Sequence, residues 1–263
     1  PHSGRFDLFQ NGLCLVCLHE LVHAHRAGVV RHVKAHHPRA ALFELPVVDR
    51  KDLALHAHAV HIEVQVFHRR GLGAEGLKIL VKVAKAVGLP TVSEIVDPRD
   101  IDLFADVDML QIGAKNMQNF ALLKEVGKTN KPVLLKRGFC NTLEELLLSA
   151  EYVTDAGNAR VVLCERGIRT FESANRFTLD LAGALRLKEL TRFPVIIDPS
   201  HASGRSELVE PLSLAAAAIG ADGIEVETHP NPQDALCDGA QAIIPETFTD
   251  IVKKSEKIRR IVK

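Results

Sequence analysis

From Gly71 onward the apolar positions follow two periods in alternation. Leu77, Leu80, Val81, Ala84 and Val87 recur at helical spacing, and Gly88 with Pro90 ends that helix. Residues 91–96 read as a short strand, after which Asp97 and Pro98 form an N-cap with proline at the first helical position. Residues 109–113 predict the next strand and 119–126 the next helix. Residues 132–135 are a strand ending on Lys136, and Asn141 with Glu144 predicts a capping box for a helix carrying Leu143, Leu146, Leu147 and Ala150. Residues 161–163 form a strand ending on Glu165 and Arg166. A helix over 178–190, a strand over 195–197, a helix over 207–219, a strand over 223–226 and a closing helix over 246–261 complete the series.

Strands that alternate with helices imply a parallel sheet with right-handed crossovers. Six such units between residue 71 and the end predict a (β/α)₈ TIM barrel whose first two units fall in residues 1–70. A doubly wound open sheet is the alternative. Polar residues recur at strand C-termini all along the sheet and do not gather at one crevice, which favours the barrel.

Residues 1–70 have a different character, and the chain divides there into a His-rich N-terminal region and a β/α barrel domain over 71–263. Of the 13 histidines only His201 and His229 lie beyond residue 70. Residues 13–18 and 41–48 could be strands and 19–36 a helix, but His56, His58 and His61 interrupt any apolar period over 53–67. His19-Glu20-Leu21-Val22-His23 matches the pattern of a zinc-protease helix, without the extended spacing that would complete a third ligand. Cys14-Leu15-Val16-Cys17 is a CxxC with no second pair, so structural cysteines are the simpler reading.

Charge narrows the function classes. Lys plus Arg and Asp plus Glu number 33 each, so no net field recruits nucleic acid or a membrane surface. No apolar run reaches the length of a membrane span, and no signal-peptide pattern is present. Five cysteines without disulfide-like spacing suit a reducing cytoplasm.

Candidate chemistry concentrates near the C-terminus. An apolar run over 195–197 delivers Asp198 and then His201; a second ends on Glu227 and His229; Asp238 follows in a Gly-flanked turn. His201, Glu227 and Asp238 make a mixed nitrogen and oxygen ligand set for a divalent ion. Alternation along 132–136 aims Lys136 into the barrel mouth, where Lys115 and Arg166 on neighbouring strand ends could converge with it on a phosphate and a carboxylate.

Gln111 to Phe120 (QIGAKNMQNF), Lys131 to Gly138 (KPVLLKRG), Leu163 to Glu172 (LCERGIRTFE) and Asp198 to Gly239 together resemble 3-deoxy-D-arabino-heptulosonate-7-phosphate (DAHP) synthase, of the class related to 3-deoxy-8-phosphooctulonate synthase. The resemblance implies a cytoplasmic TIM-barrel transferase, a homo-oligomer (tetramer or dimer). It would condense phosphoenolpyruvate with erythrose 4-phosphate, the entry step of the shikimate pathway toward chorismate and the aromatic amino acids. It makes Lys136 and His201 catalytic and Lys115, Lys136 and Arg166 substrate-binding, with Lys115 standing where the family usually has Arg. His201, Glu227 and Asp238 become three of four ligands to a divalent metal of the Mn, Fe, Co or Zn type. The fourth, a cysteine in a GPC motif, has only a faint echo at Gly12-Leu13-Cys14, and the family's KPRTSPYSFQG segment is missing before Gly71. Similarity lost abruptly amid a burst of histidine is what translation of residues 1–70 in a wrong reading frame would produce. The 8-phosphooctulonate synthase activity and a catalytically dead barrel fragment serving as a subunit are the two alternatives.

Overall fold

The computed structural model describes the backbone of Leu13–Leu18 and residues 72–262. The expected helix over 19–36, the strand over 41–48, and His19 and His23 lie outside the described residues.

Among the described residues seven strands form one parallel sheet: β1 (Leu13–Leu18), β2 (Val92–Glu94), β3 (Met109–Ile112), β4 (Val133–Lys136), β5 (Val161–Glu165), β6 (Val195–Ile197) and β7 (Gly223–Thr228). Their order is β1-β7-β6-β5-β4-β3-β2. Pairing of the first strand with the last is a barrel's connectivity, since a curling parallel sheet brings its ends together. The strand expected at 13–18 is thus present, with Leu13 opposite Gly223 and Cys17 opposite Glu227.

Helices α1 (Gly73–Val87), α2 (Phe120–Gly127), α3 (Leu143–Asp155), α4 (Leu181–Leu190), α5 (Pro199–Ser203), α6 (Ser206–Ala218) and α7 (Pro245–Val262) alternate with the strands. α1 buries Leu77, Leu80, Val81 and Ala84 as its spacing requires, and Gly88 closes it in the left-handed region at φ 72°. Among the described residues no helix is long and apolar enough to cross a membrane.

Strand alternation divides the core in two. Val133, Leu135, Val161, Leu163, Val195 and Ile197 pack outward with buried helix residues such as Leu122, Leu146 and Leu187. Val92, Met109, Leu134, Val162, Cys164 and Ile196 form a smaller cluster on the other face, the inside of the curl. Each fully buried aliphatic side chain contributes about 1.5–3 kcal/mol, so the larger outer cluster carries most of the stability.

Three boundaries differ from expectation for local reasons. The capping box belongs to Thr142 and Glu145, one residue later than Asn141 and Glu144: Thr142 is extended and accepts from the Glu145 backbone N–H, while Asn141 bonds the Glu145 side chain. The helix expected from residue 178 starts at Leu181, because Asp180 caps it and Thr178 is paired instead with Ile168. Asp97 and Pro98 open a 3₁₀ helix, Pro98–Phe104, where the motif alone suggested only a helix start.

Candidate active site

The inner face that begins as an apolar plug becomes polar at the strand C-termini. Two-residue alternation carries Leu134 to Lys136, Val162 to Cys164, Ile196 to Asp198 and Glu225 to Glu227, so these polar groups all face the inside of the curl. Lys136 is 5% exposed and Glu225 and Asp198 are fully buried. The Lys136 Nζ donates to Glu225 Oε1 at 2.5 Å and to Asp198 Oδ2 at 3.1 Å. Cys164 Sγ lies 3.8 Å from the other Glu225 oxygen, Oε2.

Asp198 also builds the next part of the site. It caps α5, Oδ1 accepting the His201 backbone N–H at 2.9 Å, and its Oδ2 lies 2.7 Å from His201 Nδ1. One short helix therefore both carries the imidazole and fixes its ring. With Nδ1 engaged, Nε2 faces Glu227 Oε1 at 3.2 Å. Ser200, also on α5, accepts the Glu227 backbone N–H at 3.0 Å. Asp238 completes the group from a left-handed turn, φ 54°, that asparagine and aspartate tolerate better than most residues. Gln241 Nε2 donates to Asp238 Oδ1 at 2.5 Å, and Arg176 Nη1 lies 3.6 Å away. Burial opposes charge on His201, but the Asp198 and Glu227 carboxylates outweigh it and raise its pKa to about 9.

His201, Glu227 and Asp238 each offer a donor atom within 4.8 Å of the others. One imidazole nitrogen, oriented by a carboxylate behind it, with two carboxylates fits a divalent transition ion. The second three-donor group, Cys164, Asp198 and Glu225, meets the same distance limit, but the Lys136 ammonium already lies among its carboxylates. That group does not fit a metal.

Arg166 follows β5 and is 4% exposed. Its guanidinium carbon lies 4.8 Å from the Phe139 ring centroid and 4.6 Å from that of Phe177. The two rings are parallel within 4° and 5.0 Å apart. Its Nη1 is buried with no hydrogen-bond partner among the described residues. A buried, orphaned guanidinium N–H is costly unless an anion comes to it.

The structure brings Lys136, His201, Glu227 and Asp238 into one site, with Arg166 at its wall. Lys115 stands exposed on the 3₁₀ turn Ala114–Asn116 after β3. His229, delivered by the same run as Glu227, is buried and accepts the Asn231 backbone N–H outside the ligand group. On β1, Cys14 pairs with Ile224, three residues short of the position opposite Glu227, which Cys17 occupies. Sequence reasoning missed Glu225 and Cys164, although two acids spaced by two in the run GIEVET signal one polar strand face. It also missed the Phe139 and Phe177 platform, whose members lie far apart in the chain.

The model of the DAHP synthetase I family matches residues 64–262. The chain belongs to that family. It is 50% identical over 190 residues to phospho-2-dehydro-3-deoxyheptonate aldolase of Thermotoga maritima, covering 72% of this chain and 56% of that protein. The chain thus spans little more than half the length of this relative. It is 35% identical over 207 residues to 2-dehydro-3-deoxyphosphooctonate aldolase of Geobacter sulfurreducens, covering 74% of this chain and 75% of that protein. The crystal structure of the Thermotoga maritima DAHP synthase superposes with a TM-score of 0.81 at 38% identity, over 96% of this chain and 70% of that one. A truncated form of 3-deoxy-D-arabino-heptulosonate 7-phosphate synthase from the same organism gives a TM-score of 0.81 at 37% identity, over 100% and 92%. Family membership agrees with the TIM-barrel reading of the sheet.

Proposed function

We propose that the chain is a phospho-2-dehydro-3-deoxyheptonate aldolase, a transferase joining phosphoenolpyruvate to erythrose 4-phosphate. The observation that carries this reading is the pairing, at one end of one sheet, of two buried cations, Lys136 and Arg166, with the His201, Glu227 and Asp238 donor group. In the reaction, C3 of the enolpyruvate forms a bond to the aldehyde carbon, water adds at C2, and inorganic phosphate leaves.

Each residue has a task in that sequence. Arg166, close to two phenyl rings and with an unpaired N–H, recognises the phosphate or carboxylate of phosphoenolpyruvate. Lys136 lies between Asp198 and Glu225, held so that its charge meets the enolpyruvate without reorganising. Lys115, on the exposed turn after β3, contributes a point charge at the rim. His201, Glu227 and Asp238 would hold the divalent ion, which when bound supplies Lewis acidity toward the aldehyde oxygen. We place the enzyme in the cytoplasm as a homo-oligomer, on the family resemblance and the cysteine usage.

The test is phosphate release from phosphoenolpyruvate by the purified chain with Mn²⁺, with erythrose 4-phosphate and arabinose 5-phosphate compared as acceptors. Preference for the tetrose is expected. Preference for the pentose would reassign the chain to the octulosonate activity named for its 35%-identical Geobacter sulfurreducens relative, and no turnover with either would favour an inactive barrel subunit.

A further inference from the structure

Behind the cations, on the outward face of the same strand ends, lies a second ionic network. Arg137 and Glu165 each follow or precede a site cation by one residue, so alternation turns them away from the mouth while Lys136 and Arg166 face it. The Arg137 Nη1 donates to Glu165 Oε2 at 2.8 Å and to Asp180 Oδ2 at 2.9 Å, and its Nε donates to the Asn141 carbonyl at 2.9 Å. The Glu165 side chain is fully buried and that of Arg137 is 6% exposed.

The remaining carboxylate oxygens of this network hold backbone N–H groups. Glu165 Oε1 accepts from the Gly167 N–H at 2.7 Å, so the residues on both sides of Arg166 are tied to one carboxylate. Gly167 sits at φ +93°, and a Cβ there would meet Phe177 Cβ at 2.7 Å. The turn that presents Arg166 thus packs closely against Phe177, whose ring lies beside the Arg166 guanidinium. Asp180 Oδ1 accepts the Gly183 N–H at 2.7 Å and caps α4. Burial pushes the Glu165 carboxyl up, and the Arg137 hydrogen bond and charge oppose that rise, so the two groups depend on each other.

We infer that Arg137, Glu165 and Asp180 form a positioning network that fixes Arg166, and through β4 Lys136, in the orientation that binds the substrate anion. This rests on the reading that those two cations hold phosphoenolpyruvate. A guanidinium suits the task because it reaches two carboxylates and a carbonyl in one plane, which a lysine ammonium at the same position cannot do.

The test compares the full chain with Arg137→Lys and Arg137→Ala, Arg166→Lys serving to assign the Arg166 signal. Phosphoenolpyruvate affinity is measured by calorimetry and, with turnover, as a split between KM and kcat. The exchange protection of the Arg166 Nε–H is followed by nitrogen-15 NMR without substrate. We expect Arg137→Lys to melt cooperatively, to raise the phosphoenolpyruvate KM about tenfold with kcat within about threefold, and to lower Arg166 Nε–H protection about tenfold. Millimolar methylguanidine should restore part of the affinity to Arg137→Ala. Affinity within twofold of the parent together with unchanged Arg166 protection would overturn the inference and leave the network a structural ion cluster. If the parent chain fails to bind phosphoenolpyruvate, the functional reading falls, and the protection measurement still decides whether the network holds Arg166.

Discussion

Among the described residues two groups of three metal-capable side chains lie at or near the C-terminal end of this sheet, and their surroundings differ. Cys164, Asp198 and Glu225 are all buried, and Lys136 neutralises their carboxylates from within, at 3.1 and 2.5 Å. His201 and Asp238 are partly exposed and Glu227 is buried, and Arg176 lies 3.6 Å from Asp238. Donor type and spacing alone would nominate both as metal centres. What separates them is the counter-charge: where the chain supplies an ammonium, the carboxylates are spoken for, and where it supplies an imidazole backed by Asp198, a cation from solution would complete the site under the proposed function. Asp198 links the two groups, since its Oδ2 faces Lys136 and His201 together.

The largest expected effect comes from removing the internal cation. Lys136→Met should abolish turnover and destabilise the fold by about 3–5 kcal/mol, because Asp198 and Glu225 would remain buried without their partner. Urea unfolding at neutral pH measures the second effect. A stability loss under about 1 kcal/mol would show that the two carboxylates find other compensation, and the contrast between the groups would dissolve.

Next in size are changes to the outer group. Glu227→Gln should weaken Mn²⁺ binding by more than about 100-fold, beyond the range usual for residues behind a ligand, while altering stability by about 1 kcal/mol or less. Asp198→Asn should cost about 10–100-fold in Mn²⁺ affinity by releasing the His201 ring. Calorimetric titration with Mn²⁺ ranks the three proteins. An Asp198→Asn protein that binds Mn²⁺ like the parent would mean that the ring is held by something other than the carboxylate on Nδ1.

How much of this could be read from the residues follows the same division. Lys136, Arg166, His201 and Glu227 could be placed near one end of the sheet because each sits at or shortly after the end of an apolar run, where a parallel strand ends; Asp238 lies further on, in a Gly-flanked turn. β2 to β7 were legible for the same reason. The partnership of Lys136 with Glu225 was not, since 89 residues separate them and only closure of the sheet brings them together. The platform under Arg166 was hidden likewise: Phe139 and Phe177 read as ordinary loop residues until the Ile168 to Thr178 bridge folds one onto the other. The Thr142 cap eluded pattern reading because Asn141 and Thr142 are both competent caps, and only the extended backbone at Thr142 chose between them.

The smallest and most local prediction concerns Cys164, the one thiol of the inner group. Burial raises its pKa well above the usual thiol value of 9.0, and the nearby Glu225 carboxylate raises it further, against the opposing Lys136 charge. Alkylation requires the thiolate, so a raised pKa keeps Cys164 protonated and inert across the range where an exposed thiol reacts. Cys140 and Cys237 are both exposed. Iodoacetamide at pH 8.5 followed by peptide mapping should therefore label Cys140 and Cys237 while leaving Cys164 unmodified, and labelling of Cys164 should appear only on unfolding in urea. The Lys136→Met protein sharpens the point. Removing the ammonium takes away a charge that favours the thiolate, so any native labelling of Cys164 in that variant would have to come from loosened packing and would track its stability loss. Labelling of Cys164 in the folded parent at a rate comparable to Cys140 would show that the inner group is open to solvent, and that access, more than the Lys136 counter-charge, distinguishes the two sites.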